Sequence, residues 1–356
     1  MKEERLLRIG VLGAGQIAQA AHFESCVKAR NAELYAICDV AADLGARMAI
    51  AHGARRSFGD YDAMLGDPEV EAVIIATADA FHVDASIRAL EAGKHVLCEK
   101  PMAVSVEDAE RLRDAVARTG LVLHVGHMKR YDGGIEAAKD FIEREMGEML
   151  SLKAWYCDST HRYAMTDAIQ PAIVTSAASR RPSGDPKADR QRYLMLAHGS
   201  HLVDLACFLG GEIETVGARF REAYGARCWF IDVGFRSGAI GHLDLTVAVR
   251  MDWHEGFEVQ GERGGVLAKT YNPWYYKSSD VEIFHESDAT WRRPLAADGH
   301  FYRRQVEGFA DAVLTGRPAR GASAEDGVAS VRAMVAIAQS VREGRAVKLA
   351  EAAGPV

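Results

Sequence analysis

Long apolar runs are missing from this sequence. No stretch of its 356 residues approaches the roughly 20 successive apolar residues that a membrane span requires. A surplus of positive charge is missing too: 43 lysines and arginines face 50 aspartates and glutamates, a formal net charge of −7. Nucleic acid and anionic membrane both demand a basic footprint, so neither is expected as a partner. The six cysteines, Cys26, Cys38, Cys98, Cys157, Cys207 and Cys228, form no C-x-x-C pair. That spacing suggests neither a zinc site nor a disulfide framework, and a reduced cytoplasm is the expected setting. Cys38 and Cys98 lie in apolar runs and read as small core residues. The opening Met1-Lys2-Glu3-Glu4-Arg5 leads straight into a short apolar strand, with no signal-peptide core expected. Internal repeats and low-complexity tracts are absent as well.

What remains is a globular composition, 48% hydrophobic and 26% charged, at a length suited to two domains. Residues 1–126 alternate short apolar runs (7–12, 33–38, 72–76, 95–98, 121–125) with amphipathic stretches (16–29, 44–52, 83–91, 106–118). Strict alternation of strand and helix means a parallel sheet covered on both faces. After Gly126 the pattern changes. A helix is expected near 135–145, a strand at 149–156, a long polar segment at 157–192 and a helix at 200–209. Polar-apolar alternation through 215–284 then predicts an antiparallel sheet wet on one side, closed by helices near 302–314 and 324–343. The expected fold class is α/β, with domains at 1–126 and 127–356 and the closing helices packed between them.

Gly13-Ala14-Gly15-Gln16-Ile17-Ala18 follows the first strand and opens a helix, the G-x-G-x-x-A form of a dinucleotide fingerprint. The first glycine permits a tight turn, the second lets main chain approach a pyrophosphate, and the small last residue lets helix pack on strand. Asp39 ends the second strand, at the spacing of the acid that binds the adenosine 2′-hydroxyl. Gly13, Gly15, Gln16, Ile17 and Asp39 are therefore candidate cofactor ligands. The following Val40, Ala41 and Ala42 offer no cation for a 2′-phosphate, so NAD is the expected cofactor.

Later motifs give the chain a resemblance to the glucose–fructose oxidoreductase/inositol dehydrogenase (Gfo/Idh/MocA) family over nearly its whole length. The stretch Gly93-Lys94-His95-Val96-Leu97-Cys98-Glu99-Lys100-Pro101 is similar to the family's GKHVxxEKP. Ala76-Thr77 with His82, Val125-Gly126-His127-Met128-Lys129-Arg130-Tyr131, and Gly199-Ser200-His201-Leu202-Val203-Asp204 resemble further family motifs in order. The resemblance implies a Rossmann domain plus an α/β domain with a large open sheet that builds homo-dimers or homo-tetramers. It implies sugars, inositols or related polyols as substrates. Lys100 and His201 are expected beside the nicotinamide as the catalytic pair.

Oxidising a secondary alcohol removes a hydride from carbon and a proton from oxygen. Histidine is a proton acceptor near neutral pH, and an ammonium stabilises the developing alkoxide. Thr77, His82, Glu99 and Lys100 are expected at the cofactor. His82 either packs near the nicotinamide or caps its helix, and Glu99 either meets a ribose or pairs with Lys100. Substrate contacts are expected from Lys100, His127, Arg130, Arg162, His198 and His201. The arginines of the polar segment, Arg162, Arg180, Arg181, Arg190 and Arg192, either clamp an anionic substrate or form a solvated loop face. Trp274-Tyr275-Tyr276 either stacks on a sugar or packs within the sheet. The family commonly carries an aspartate four residues before its catalytic histidine, and here that residue is Ala197. Asp204, Tyr193, His198 or a residue of the polar segment is left to replace it.

Three functions follow: a sugar or inositol dehydrogenase, a redox-neutral NAD-dependent glycosidase working through a transient 3-keto intermediate, or a non-catalytic NAD-binding regulator. Retention of both Lys100 and His201 counts against the last. Cofactor choice is directly testable. Placing a 2′-phosphate against Asp39 should cost on the order of 2 kcal/mol or more, so kcat/KM should favour NAD over NADP. The Asp39→Ala variant should narrow the gap, and equal or better kinetics with NADP would overturn the assignment.

Overall fold

The computed structural model describes residues 5–161, 168–180, 187–296, 298–317 and 319–356. The first sheet contains β1 (Leu7–Leu12), β2 (Ala32–Cys38), β3 (Arg56–Phe58), β4 (Ala72–Ile75), β5 (His95–Cys98) and β6 (Leu123–Val125), all parallel. Their order is β3-β2-β1-β4-β5-β6, so the sheet changes direction between β1 and β4. Such a reversal opens a crevice at the carboxyl ends of the strands. The central strands are apolar on both faces because helices cover both: α1 (Phe23–Lys28), α2 (Ala42–His52), α3 (Tyr61–Leu65), α4 (His82–Glu91) and α5 (Val106–Thr119). Strand β3 and helix α3 were not expected. They are too short, three and five residues, to carry a readable period.

The second half begins with α6 (Gly133–Arg144), followed by β7 (Met149–Ser159), α7 (Arg190–Leu194) and α8 (Ser200–Gly210). Then come β8 (Ile213–Ala223), β9 (Ala226–Phe235), β10 (Ile240–Val249), β11 (His254–Gly261), β12 (Gly264–Thr270), β13 (Asp280–His285) and β14 (Thr290–Arg292). Helices α9 (Phe301–Thr315) and α10 (Ala324–Glu343) and the short β15 (Val347–Lys348) end the chain. Nine strands form one open sheet in the order β14-β13-β12-β11-β7-β10-β9-β8-β15. It is antiparallel except where β7 runs parallel to β10. Alternation alone could not reveal that pair, because either direction gives the same inward and outward sides.

Val306, Phe309 and Ala310 of α9 share an apolar cluster with Leu7, Ile9, Val11 and Phe23, so the last part of the chain covers a face of the first sheet. Helix α10 lies against both α5 and β8. Its start is fixed by a capping box between Ser323 and Asp326. Among the described residues no helix is long and apolar enough to cross a membrane.

A buried ion pair ties these layers together. Arg130, in the turn at Met128–Tyr131, donates to Asp204 of α8 at 2.7 and 3.1 Å and stands 3.2 Å from Asp326 of α10. The Arg130 and Asp204 side chains are only 6% and 4% exposed. Removing one partner of such a pair leaves a buried charge without its counterion. Asp204→Ala should therefore lower unfolding free energy by roughly 3 kcal/mol, read by urea denaturation. A change below about 1 kcal/mol would show that Asp326 alone compensates Arg130.

Candidate active site

The carboxyl ends of β1, β2, β4 and β5 open into a cleft of about 1060 Å3 whose far wall comes from β7, α8 and the segments around Trp253 and Trp274. At one end lies the glycine turn. Gly13 has φ +97°, and a Cβ there would come 2.7 Å from the Ala76 carbonyl oxygen, so only glycine fits. At Gly15 a Cβ would meet nothing and would project into open space. Gln16 and Ile17 open the helix that continues to Lys28, and both line the cleft. Asp39 accepts from the Ala14 amide at 2.7 Å and the Ala41 amide at 2.8 Å, which fixes its carboxylate between the glycine turn and the start of α2. A main-chain cradle at a helix start beside an anchored carboxylate fits a dinucleotide: pyrophosphate on the cradle, adenosine ribose toward Asp39.

Part of the polar segment is fastened across this end. Gln19 donates to the Ala14 carbonyl at 2.7 Å and to the Val174 carbonyl at 2.9 Å, and accepts from the Val174 amide at 2.9 Å. Arg47 of α2 donates to the Thr175 carbonyl at 2.9 Å, and Ser176 donates to Asp43 at 2.7 Å. Gln170, Ser179 and Arg180 of the same segment line the cleft.

Toward the other end, Lys100 follows β5, half-buried, and its Nζ donates to the Ala197 carbonyl at 3.0 Å. His201 stands on the first turn of α8, just after a wide π turn at Met195–Gly199. Its ring lies parallel to that of Tyr156 on β7, 3° apart in plane with centroids 6.0 Å apart. The Tyr156 hydroxyl is 3.3 Å from His198 Nδ1, and His198 Nε2 is 3.6 Å from Asp158 Oδ2. Lys129 sits 4.8 Å from the Tyr156 ring centre and is ion-paired with Glu255 of β11. Trp253 meets Tyr156 edge-on at 5.1 Å, and Trp274 stacks on Tyr302 at 5.6 Å.

Residues 7–127 match the family model described as "Oxidoreductase family, NAD-binding Rossmann fold", and residues 194–349 match "Oxidoreductase family, C-terminal alpha/beta domain", both of the Gfo/Idh/MocA group. The chain belongs to the Gfo/Idh/MocA oxidoreductase family. It is an NAD-binding oxidoreductase. It is 27% identical to a myo-inositol 2-dehydrogenase of Thermotoga maritima, over 98% of this chain and 100% of that one. A 1,5-anhydro-D-fructose reductase of Ensifer adhaerens is 24% identical, over 96% of this chain and 98% of its own length. In fold the chain is similar to an NAD-binding oxidoreductase from Klebsiella pneumoniae, with TM-score 0.81, 21% identity, and 98% and 99% of the two chains covered. It is also similar to a levoglucosan dehydrogenase in complex with NADH and L-sorbose, with TM-score 0.77, 22% identity, and 97% and 99% covered.

The Gfo/Idh/MocA motifs converge on this cleft in part. Gly13, Gly15, Gln16, Ile17, Asp39, Thr77, His82, Glu99, Lys100, His198 and His201 all line it. His82 is buried and links two turns, with Nδ1 2.8 Å from the Pro101 carbonyl and Nε2 3.2 Å from the Thr77 carbonyl. Glu99 meets His22 at 2.8 Å and accepts from the Lys100 amide at 3.1 Å. Burial pushes the Glu99 carboxyl up, but His22 and then Lys100 outweigh it and hold Glu99 below the ordinary carboxylate range. Two expected substrate contacts need correction. Arg130 is absent from the cleft lining because its guanidinium is spent on Asp204 and Asp326, and His127 is buried beside the same pair, 3.7 Å from Asp204. Asp204 is thereby committed to Arg130 and does not orient His201. Arg162 and Arg181 lie outside the described residues. Arg180 lines the cleft, whereas Arg190 packs over Tyr193 and Arg192 donates to the Val356 carbonyl. Trp274 faces the cleft, but Tyr275 and Tyr276 are not part of its lining.

His22, Lys129, Tyr156, Trp253 and Tyr302 were not singled out in the sequence. Lys129 stood inside a quoted motif, and Tyr156 inside an expected strand, yet nothing in one sequence says which way they face. Charge at His201 follows from this assembly. Burial first, then Lys100, Lys129, His127 and His198, hold its imidazole well below the ordinary value of 6.5. A depressed value means the ring stays neutral, and able to accept a proton, down through mildly acidic pH. An NMR titration of the His201 ring should show protonation only well below pH 6.5. Lys100→Met removes one cation and should move that titration upward. A midpoint at or above the ordinary value in the unaltered protein would contradict this environment.

Proposed function

We propose that the chain oxidises a secondary hydroxyl of a sugar, glycoside or inositol, with NAD as the acceptor. The observation that carries this reading is the placement of Lys100 and His201 in one cleft with the glycine turn and Asp39. NAD, when bound, supplies the acceptor for the hydride of the carbinol carbon. Lys100 orients the hydroxyl and stabilises the negative charge its oxygen gains as the proton leaves. His201, neutral and half-buried, takes that proton. The half-buried indoles of Trp253 and Trp274 offer flat apolar faces to a ring substrate. The inositol, anhydrofructose and levoglucosan enzymes among the relatives support a cyclic polyhydroxy substrate. We place the enzyme in the cytoplasm as a homo-dimer or homo-tetramer built on the open sheet, where Phe230 and Leu267 are exposed.

A redox-neutral glycosidase uses the same first step, and Ala197 keeps it in view because the usual acid partner of the histidine is replaced. An anionic sugar would suit Arg180 in the cleft wall. A panel of free sugars, sugar acids, inositols and glycosides, assayed for NADH and for released aglycone, decides between them. Net NADH is the expected outcome, because simple oxidation needs no further group. Aglycone release with NAD unchanged would overturn it. Lys100→Met and His201→Ala should each lower kcat by at least about a hundredfold, while NAD binding survives. Full activity in both variants would reject the site.

A further inference from the structure

The cofactor end of the cleft is bordered by chain that belongs to neither sheet. Residues 170–180 form a strap over the starts of two helices. Gln170 lines the cleft near one end of the strap, and Ser179 and Arg180 line it near the other. Between them Val174, Thr175 and Ser176 are gripped from the first domain. Gln19, one turn into the helix after the glycine turn, bonds both polar groups of the Val174 main chain. It donates to the carbonyl and accepts from the amide, each at 2.9 Å. The same side-chain nitrogen donates to the Ala14 carbonyl at 2.7 Å, so the grip is continuous with the glycine turn itself. On α2, Arg47 donates to the Thr175 carbonyl at 2.9 Å, and Asp43 accepts from the Ser176 hydroxyl at 2.7 Å. Arg47 and Asp43 are themselves paired at 2.9 Å. The strap thus bridges the same two elements between which the Asp39 carboxylate is fixed.

Gln19 is only 6% exposed, and its amide bonds main chain at Ala14 and, twice, at Val174. Buried polar groups are costly to leave unpaired, so this side chain holds the strap to one place. Every bond of the grip runs between protein groups, which makes the fastened position independent of a bound dinucleotide. Beyond the grip the strap is thinly packed. Most of its residues are exposed, with Val174 set against the apolar cluster of the first sheet. A segment held by a few polar bonds over little apolar contact opens locally, without the rest of the fold. We infer that the strap gates exchange of the dinucleotide, and that Gln19 is its latch, a positioning residue for the cofactor. Fastened, the strap walls the end of the cleft that holds the glycine turn and Asp39. NAD enters and NADH leaves while Val174 is off Gln19. Such a gate slows entry and exit alike, whereas a contact made to the bound cofactor slows exit alone. The inference rests on the NAD site and is indifferent to which hydroxyl compound is oxidised.

The test is stopped-flow fluorescence of NADH with the full chain and no sugar present. Association is read on mixing and dissociation on displacement by excess NAD, with circular dichroism to check the fold of each variant. In the unaltered protein, association should be slower than about 10⁵ M⁻¹ s⁻¹, below the range for sites that need no rearrangement. Gln19→Met keeps the length of the side chain and removes the latch. It should raise both rates at least about tenfold, while the dissociation constant moves by less than about threefold. Arg47→Ala combined with Ser176→Ala loosens the second anchorage at its outer face. Both rates should rise there by about threefold, and this variant decides the matter if Gln19→Met does not fold. Faster release with unchanged association overturns the gate, because the strap would then act on the bound state alone. Rates that stay unchanged on loss of the latch overturn the role of Gln19. Association faster than the stated limit in the unaltered protein overturns the inference and leaves NAD binding and the proposed oxidation intact. The expected rate changes in a protein that oxidises nothing on the substrate panel uphold the gate and reject only the oxidation.

Discussion

The geometry of the cleft depends on the buried pair of Arg130 and Asp204. A guanidinium and a carboxylate withdrawn from water attract strongly, but only a closely matched, hydrogen-bonded geometry offsets the loss of hydration. That requirement makes the contact directional. It locks the turn at Met128–Tyr131 to helix α8 in one register, and Asp326 adds α10 to the same lock. Lys129 adjoins the arginine in sequence, and His201 lies three residues before the aspartate. The spacing between the Lys129 ammonium and the His201 imidazole is thus set by a pair that does not line the cleft.

The first half of the fold was legible almost element by element, because strand and helix periods alternate there and the central strands are mostly apolar. The glycine turn and Asp39 were legible for the same reason: they depend on local main-chain geometry and on a fixed distance along the chain. Lys100 and His201 were legible through motif likeness. The place of Tyr156 in the cleft wall was not, because it depends on register across the sheet. Tyr156 stands opposite Glu255 on one side and Leu245 on the other, a relation set by strand pairing some hundred residues apart. Arg130 was misplaced for a related reason. An arginine in a family motif can serve packing as readily as substrate, and only its partners decide which.

Loss of the aspartate at position 197 has a physical counterpart in the structure. The carbonyl of Ala197 receives the Lys100 ammonium, so position 197 meets Lys100 through its main chain. The π turn over Met195–Gly199 widens the helix at this point and brings that carbonyl within reach. The imidazole that gains a carboxylate neighbour is instead His198, through Asp158 on a different element.

The polar segment is fastened over the cofactor end largely through its main chain. Val174 is held by its own amide and carbonyl and Thr175 by its carbonyl, so the grip of Gln19 and Arg47 is blind to side-chain identity there. The side chains that this stretch sends into the cleft, those of Gln170, Ser179 and Arg180, lie outside those bonds. At Val174 and Thr175, attachment is therefore independent of the side chains that stand there. Mutation can redraw the wall presented to a ligand while the stretch remains anchored in place.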